Sequence, residues 1–189
     1  MSQPYLRNQQ NPLGLIPFDE SLLDEAVEHA RRSPRKRSII RFHEHDEVLQ
    51  RMLNAIEPES YVRPHQHVDV YKPEAFVALR GSVLVVRFAD DGTPIEGAVV
   101  SADGPVRGAE VPPGAWHCTL SLQRGTVLYE VTQGPYDPAT GKHFAPWAPT
   151  EEDVAANRAF MAGLRRRFEP NLPEISALDQ IEAEEDEIC

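Results

Sequence analysis

Short extended segments separated by turn residues fill the middle of this chain and strongly limit its possible folds. Between about residue 38 and residue 133, short runs typical of strands are separated by turn signals, which is the pattern of an all-β sandwich or barrel. Turn residues at 90–92 and 123–125 predict hairpins. Because no helices alternate with these segments, the pattern excludes a doubly wound sheet and predicts a mainly β jelly roll, or double-stranded β-helix. We predict strands near residues 48–56, 60–67, 74–80, 82–89, 95–100, 106–111, 116–122 and 126–132.

A helical pattern lies on each side of the predicted strands. Residues 19–32 place leucine, alanine and valine at helical spacing, and Ser33-Pro34 ends that helix. Thr150 opens a second helix with an apolar stripe, and Asp153 completes a capping-box pattern. We therefore divide the chain into an N-terminal arm and helix (1–37), a β-barrel with the site described below (38–133), and an irregular segment, C-terminal helix and acidic tail (134–189).

Four potential metal ligands are spread over the predicted strands. His65 and His67 are two positions apart, so on a strand both side chains point to one face. Glu74 opens the next strand, and the turn at 112–114 delivers His117 at the start of a further one. Three imidazoles and one carboxylate suit a divalent first-row transition metal. We predict that these four residues bind one ion, which is Fe, Zn, Mn or Ni.

The spacing of these ligands resembles the two signature motifs of the cupin superfamily. The first motif is matched by His65, His67, Glu74 and Gly81. Six residues separate His67 from Glu74, where the common cupin pattern has three or four. The second motif, Pro-x-Gly-x-x-His, is matched by Pro112, Gly114 and His117.

Three longer runs are similar to a narrower group, the WbuC family of cupin-fold metalloproteins. The similarity covers roughly residues 38–150 and includes QRMLNAIEPESYVRPHQH, FVALRGSVLVVRFADDG and EVTQGPYDPATGKHFAPWAP. It implies a metal-binding cupin associated with the biosynthesis of surface polysaccharide.

The alternation of the predicted 60–67 strand suggests further residues at the site. If His65 and His67 face the barrel interior, Arg63 and Tyr61 do so too. An arginine beside a metal would bind phosphate or carboxylate, although Arg63 could equally sit at the rim beside an acidic neighbour. Tyr71 lies on the loop between ligands and either overhangs the pocket or is solvated. Tyr61, Arg63 and Tyr71 are therefore candidate substrate contacts.

Three other features each allow two interpretations. Phe144 and Trp147 either cap the mouth of the barrel or pin the C-terminal arm to its outer wall. Asn54 and Arg51 have opposite parities on one strand, and the pattern does not decide which of them faces inward. The run His-Glu-His at 43–45 superficially resembles a metal motif, but its polar surroundings favour a solvated turn.

Composition narrows the classes of partner and compartment. The 189 residues allow one core of ordinary size. With 30 acidic residues against 19 lysines and arginines, the net charge of −11 argues against nucleic acid or an anionic membrane as a partner. The 2 cysteines offer no disulfide framework, and we find neither a secretion signal nor an apolar run long enough to cross a membrane. We therefore expect a cytoplasmic protein.

Three functions are compatible with the predicted site. The ion could act as a Lewis acid on a small sugar derivative, as in an isomerase or epimerase. A redox-active iron could instead support a dioxygenase. In the third hypothesis the protein is a non-catalytic binding or sensing module, in which the metal anchors an anionic ligand. The sequence reveals no strong candidate for a general base. We expect a small-molecule ligand, with an anionic sugar derivative favoured, and a homodimer formed through a sheet edge.

Overall fold

Two β-sheets packed face to face form the centre of the protein. The computed structural model describes residues 5–6, 14–68, 72–137 and 141–168. All strand pairings are antiparallel except that of β1 with β2, which is parallel. The elements in chain order are β1 (Tyr5–Leu6), α1 (Glu20–Arg32), β2 (Arg37–Arg41), β3 (Leu49–Ile56), β4 (His65–Gln66), β5 (Glu74–Arg80), β6 (Ser82–Phe88), β7 (Pro94–Ser101), β8 (Gly108–Val111), β9 (Trp116–Ser121), β10 (Thr126–Gln133), β11 (His143–Phe144) and α2 (Val154–Phe168).

The order of the strands shows how the chain passes between the two sheets. The six-stranded sheet has the order β1-β2-β3-β10-β5-β8, and the five-stranded sheet has the order β11-β4-β9-β6-β7. The chain therefore crosses from one sheet to the other after β3, β4, β5, β7, β8, β9 and β10. Such crossing between two antiparallel sheets is the connectivity of a jelly roll. The mainly β fold class predicted from the sequence, with one helix on each side, is confirmed.

The space between the sheets is filled by alternate side chains of both. Residues that point inward are separated by residues that point outward, because side chains alternate across a strand. On β10, for example, Leu128 is buried between the sheets, whereas Val127 is buried on the opposite face. The inner core consists of Ile56, Phe76, Ala78, Val83, Val85, Val100, Val111 and Leu128.

Each helix covers the outer face of one sheet. Helix α1 begins after Asp19, whose carboxylate accepts the Leu22 N–H at 3.0 Å. Its buried Leu22, Leu23, Ala26, Val27 and Ala30 pack on Leu53, Ala55 and Val127 of the six-stranded sheet. Helix α2 places Met161 and Leu164 on Leu84, Val86, Cys118 and Leu120 of the five-stranded sheet. The protein is thus a sandwich of four layers, and the space between the sheets is kept from solvent on both sides.

Three sequence-based boundaries were wrong. The strand predicted over 60–67 is reduced to His65–Gln66, because Pro64 has no N–H to donate and the Arg37 guanidinium takes the Tyr61 carbonyl at 2.7 Å. The segment after residue 132 was predicted to be too irregular for a strand, yet it contains β11. Helix α2 begins at Val154 rather than at Thr150, because Asp153 caps it by accepting the N–H of Ala156 at 3.0 Å.

Neither helix in the described part of the chain has the length and apolar character needed to span a membrane. Helix α1 has 13 residues and helix α2 has 15.

Replacing Gly81 by alanine should destabilise the fold far more than the same change at Gly125. Both glycines have positive φ, at 68° and 66°, which costs an alanine about 1 kcal/mol. At Gly81 a Cβ would also lie 2.4 Å from Thr126 Oγ1, whereas at Gly125 its nearest neighbours are 3.8 Å away. We expect Gly81→Ala to lower the free energy of unfolding by about 2–4 kcal/mol and Gly125→Ala by about 1 kcal/mol, measured by urea titration. Equal losses would show that Thr126 moves aside without cost.

Candidate metal centre

The structure brings together the four side chains that the sequence analysis selected as ligands. One donor atom from each of His65, His67, Glu74 and His117 lies within 4.8 Å of all the others. All four side chains are buried, with 2 to 5% of their surface exposed. His65 on β4 is directly opposite His117 on β9, and His67 follows β4. Glu74 begins β5 in the other sheet, so the cluster joins the two layers of the sandwich.

Backbone carbonyls determine which ring nitrogen of each histidine carries the proton. Nδ1 of His65 lies 2.9 Å from the carbonyl of Arg63, and Nδ1 of His117 lies 2.9 Å from that of Ala115. Nδ1 of His67 makes the equivalent contact with the carbonyl of Gly141. A carbonyl oxygen only accepts, so each Nδ1 donates its N–H. In a neutral imidazole the lone pair is then on Nε2, which is the tautomer that a metal ligand requires.

The three Nε2 atoms converge on the carboxylate. Nε2 of His117 is 2.9 Å from Oε2 of Glu74, and Nε2 of His67 is 2.8 Å from Oε1, although the latter pair lacks the alignment of a hydrogen bond. Nε2 of His65 is buried with no hydrogen-bond partner among the described residues. Lone pairs and carboxylate oxygens repel one another unless a cation or a proton lies between them. A single divalent ion would satisfy all four residues, so the residues present fit a metal.

The environment favours the deprotonated ligands that metal binding requires. Burial lowers the pKa of His65 well below its usual 6.5, and the nearby charges of Lys142 and His117 act in the same direction. Burial would by itself raise the pKa of Glu74, but its contacts with His117 and His67 outweigh burial and hold that pKa well below its usual value. At neutral pH the site therefore offers a neutral His65 and an ionised Glu74.

A second buried glutamate, which the sequence analysis missed, lies in the same interior. Glu130 is 8% exposed on β10, and its Oε2 accepts a hydrogen bond from Asn54 Nδ2 at 2.7 Å. Burial raises its pKa, and the charge of Glu74 raises it further. On β3, Asn54 therefore faces inward. Arg51 faces the surface, where it pairs with Glu47 at 2.7 Å.

The candidate substrate contacts lie in different places. Tyr61 packs in the layer of α2, and its hydroxyl donates to the carbonyl of Pro149 at 3.0 Å. Arg63 donates to the carbonyl of Ala145 at 3.0 Å and lies on the ring of Phe144, 5.3 Å from the ring centroid. The sequence analysis placed Tyr61 and Arg63 on the face of the histidines because it assumed one strand over 60–67. No strand is present over 60–64. Tyr71 lies outside the described residues, and the substrate roles of all three stay predictions.

Phe144 and Trp147 lie in different places, one beside the ligand cluster and the other on the outer wall of the barrel. The Phe144 ring centroid is 6.3 Å from that of His65, so this half-exposed side chain lies beside the ligand cluster. Trp147 packs on Phe88 and Trp116, at centroid distances of 5.1 and 6.1 Å, on the outer face of the five-stranded sheet.

The His-Glu-His run at 43–45 is not part of the cluster. Glu44 and His45 are exposed, as predicted for a solvated turn. The prediction is wrong for His43, which is 1% exposed and accepts the N–H of Arg51 at Nδ1, at 2.8 Å. His43 follows β2, and its contact with Arg51 of β3 extends the pairing of these two strands, so the imidazole is buried there.

Comparison with solved structures identifies the fold. A CapF structure in complex with the inhibitor 3-isopropenyl-tropolone matches with a TM-score of 0.51 and 20% identity, over 60% of this chain and 32% of that chain. The capsular polysaccharide assembling protein CapF from Staphylococcus aureus matches at 0.48 and 20%, over 57% and 29%. The cupin domain of Schizosaccharomyces pombe Cnp3 matches at 0.39 and 14%, over 52% and 61%. The matched region is about a third of the CapF chain, and this likeness agrees with the jelly-roll fold described above.

Sequence comparison adds one family match. Residues 18–100 match the model described as "Domain of unknown function (DUF6016)", a span that contains three of the four clustered residues but ends before His117. No curated protein matches the chain. These comparisons do not establish the resemblance to the WbuC family, which stays a prediction.

The metal-free protein should lose stability as the pH falls below about 6.5, partly because of His65. The folded pKa of His65 lies below the unfolded value of about 6.5, so below pH 6.5 the unfolded chain binds more protons than the folded one. The stabilisation that His65 provides above pH 6.5 is thus lost on acidification, by about 1 kcal/mol at pH 5.5. Urea titrations of the chelator-treated protein at pH 7.5 and 5.5 measure this loss, which should be smaller in His65→Gln.

His143→Gln is the control, because His143 is exposed on β11. It should retain the pH dependence of the unmodified protein. An unchanged pH dependence in His65→Gln would contradict the assignment.

Proposed function

We propose that this protein is a metal-binding cupin whose ion acts as a Lewis acid on a small, anionic sugar derivative. The observation that carries the proposal is the convergence of three Nε2 lone pairs and one carboxylate, all buried, within 4.8 Å. The ion would be held by His65, His67, His117 and Glu74. A six-coordinate ion would keep two positions for water or ligand, which distinguishes a working site from a closed structural one. When bound, the metal supplies polarisation of a carbonyl or hydroxyl oxygen.

Glu130 supports a catalytic role over simple ligand binding. A Lewis-acid isomerase or epimerase needs a group that removes and returns a proton near the polarised oxygen. Glu130 is a buried carboxylate on the inner face, oriented by Asn54 Nδ2, and its pKa is raised by burial. In the proposed reaction it accepts a proton from the substrate at one of its oxygens and returns it at another position. The sugar class is supported only by the resemblance to the WbuC family.

Removing either paired histidine should sharply lower the metal content. In His65→Ala or His67→Ala one nitrogen donor disappears, and we expect the ion content of purified protein to fall at least tenfold, measured by inductively coupled plasma mass spectrometry. His143→Ala removes an exposed histidine of the adjacent β11 and should leave the content unchanged. Full occupancy in both ligand variants would overturn the metal assignment.

The same measurement on protein purified without added metal separates the reaction classes. Zinc or manganese would support Lewis-acid chemistry. Iron, together with oxygen consumption in the presence of a ligand, would instead support the dioxygenase hypothesis.

The two buried glutamates should respond differently to the same isosteric substitution. Glu74→Gln removes the charged donor from the cluster, so we expect at least a tenfold loss of bound metal. Glu130→Gln should bind the metal as the unmodified protein does, because Glu130 is not among the four clustered donors. Loss of metal in Glu130→Gln, with an unchanged unfolding midpoint, would make Glu130 a ligand and contradict its proposed role in proton transfer.

A further inference from the structure

The short strand β11 and the residue before it place two side chains, Phe144 and Lys142, beside His65 and His67. Its register sets Phe144 opposite His65 and His143 opposite Gln66. The N–H of Ala145 donates to the carbonyl of Pro64 at 2.9 Å, which continues the same register in one direction. Continued by one residue in the other direction, the register sets Lys142 opposite His67. Because side chains alternate along a strand, Lys142 and Phe144 lie on the face that carries the two histidines.

Lys142 is also tied to the cluster through its neighbour. The carbonyl of Gly141 accepts the Nδ1–H of His67, so the backbone next to Lys142 is fixed against a predicted ligand.

Among the described residues, Lys142 forms no ion pair with an acidic side chain. Its side chain is exposed and makes no hydrogen bond or ion pair with the residues that the structure describes. Several other cations of the sandwich are paired with carboxylates; Arg87, for example, lies 3.0 Å from Glu96. A cation that faces a ligand cluster and has no partner of its own is available to an anion from solution.

Phe144 and Arg63 shape the opening beside Lys142. The Phe144 ring is half-exposed and lies between the His65 ring and the Arg63 guanidinium. Nη2 of Arg63 donates to the Ala145 carbonyl, while its Nε is buried with no hydrogen-bond partner among the described residues. The opening therefore has an apolar face flanked by two cationic residues, Lys142 and Arg63.

We infer that Lys142 is the recognition residue for an oxyanion, a carboxylate or a phosphate, of the ligand whose other end reaches the metal. The ligand would then span from the Lys142 ammonium, across the face of Phe144, to the ion held by the four clustered residues. This inference rests on the proposed function, because it takes the ion as the second anchor. It makes the substrate an anionic compound and gives the anion a specific contact.

Binding of inorganic phosphate to the zinc-loaded protein tests the inference. We expect Lys142→Met to weaken phosphate binding about tenfold, as measured by isothermal titration calorimetry, and Lys142→Arg to bind within about threefold of the unmodified protein. Arg158→Met is the matched control, because it removes an exposed cation of α2 and produces the same change in net charge. It should bind phosphate as the unmodified protein does. Malonate replaces phosphate in a second series, which separates a carboxylate site from a phosphate site.

The zinc content and unfolding midpoint of each variant are measured first. Equal phosphate and malonate affinities in Lys142→Met and Arg158→Met, with full zinc occupancy, would overturn the inference and leave the proposed function standing. Failure of the unmodified zinc protein to bind either anion would do the same. Absence of bound zinc in the unmodified protein would overturn the proposed function itself, and the inference with it.

Discussion

The contact of Glu74 with the histidine cluster is the constraint on which the organisation of this protein depends. A buried carboxylate is costly unless charge or hydrogen bonds compensate it. Here the compensation comes from the opposite sheet, because His65 and His117 lie on β4 and β9 whereas Glu74 begins β5. The same contact that makes a candidate ion site therefore also ties the two layers of the sandwich together at one end. Away from the cluster the layers are held by apolar packing, for example by Leu128 and Val83, and by the hydrogen bonds between Thr126 and Ser82.

Much of this arrangement could be predicted from alternation and spacing. The strand predicted over 74–80 has those bounds in the structure, and the four clustered residues were all selected from the sequence. Alternation works for such strands because their two faces meet different surroundings: Leu84 packs under α2, whereas Val85 is buried between the sheets. The prediction failed where backbone polar groups bind side chains, as at the carbonyl of Tyr61, because such a contact leaves no periodic signal.

The residues around the cluster were harder to predict for a related reason. Glu130 was hidden in the apolar pattern of β10, although a charged residue in the inward register of a core strand is itself a signal of a buried site. Lys142 precedes a two-residue strand whose pairing with β4 forms only when the chain has folded back over the sandwich. Residues drawn from distant segments by tertiary pairing alone leave no local trace in a single sequence.

The carbonyl of Gly141 has a consequence that extends beyond the tautomer of His67. This carbonyl precedes Lys142 and β11, so one short stretch of backbone both orients a donor nitrogen and forms the rim of the opening. Any molecule that held this stretch in place would also hold the imidazole in position, so occupancy of the rim and retention of a bound ion would be thermodynamically linked. By reciprocity a bound ion would strengthen binding of that molecule by the same factor.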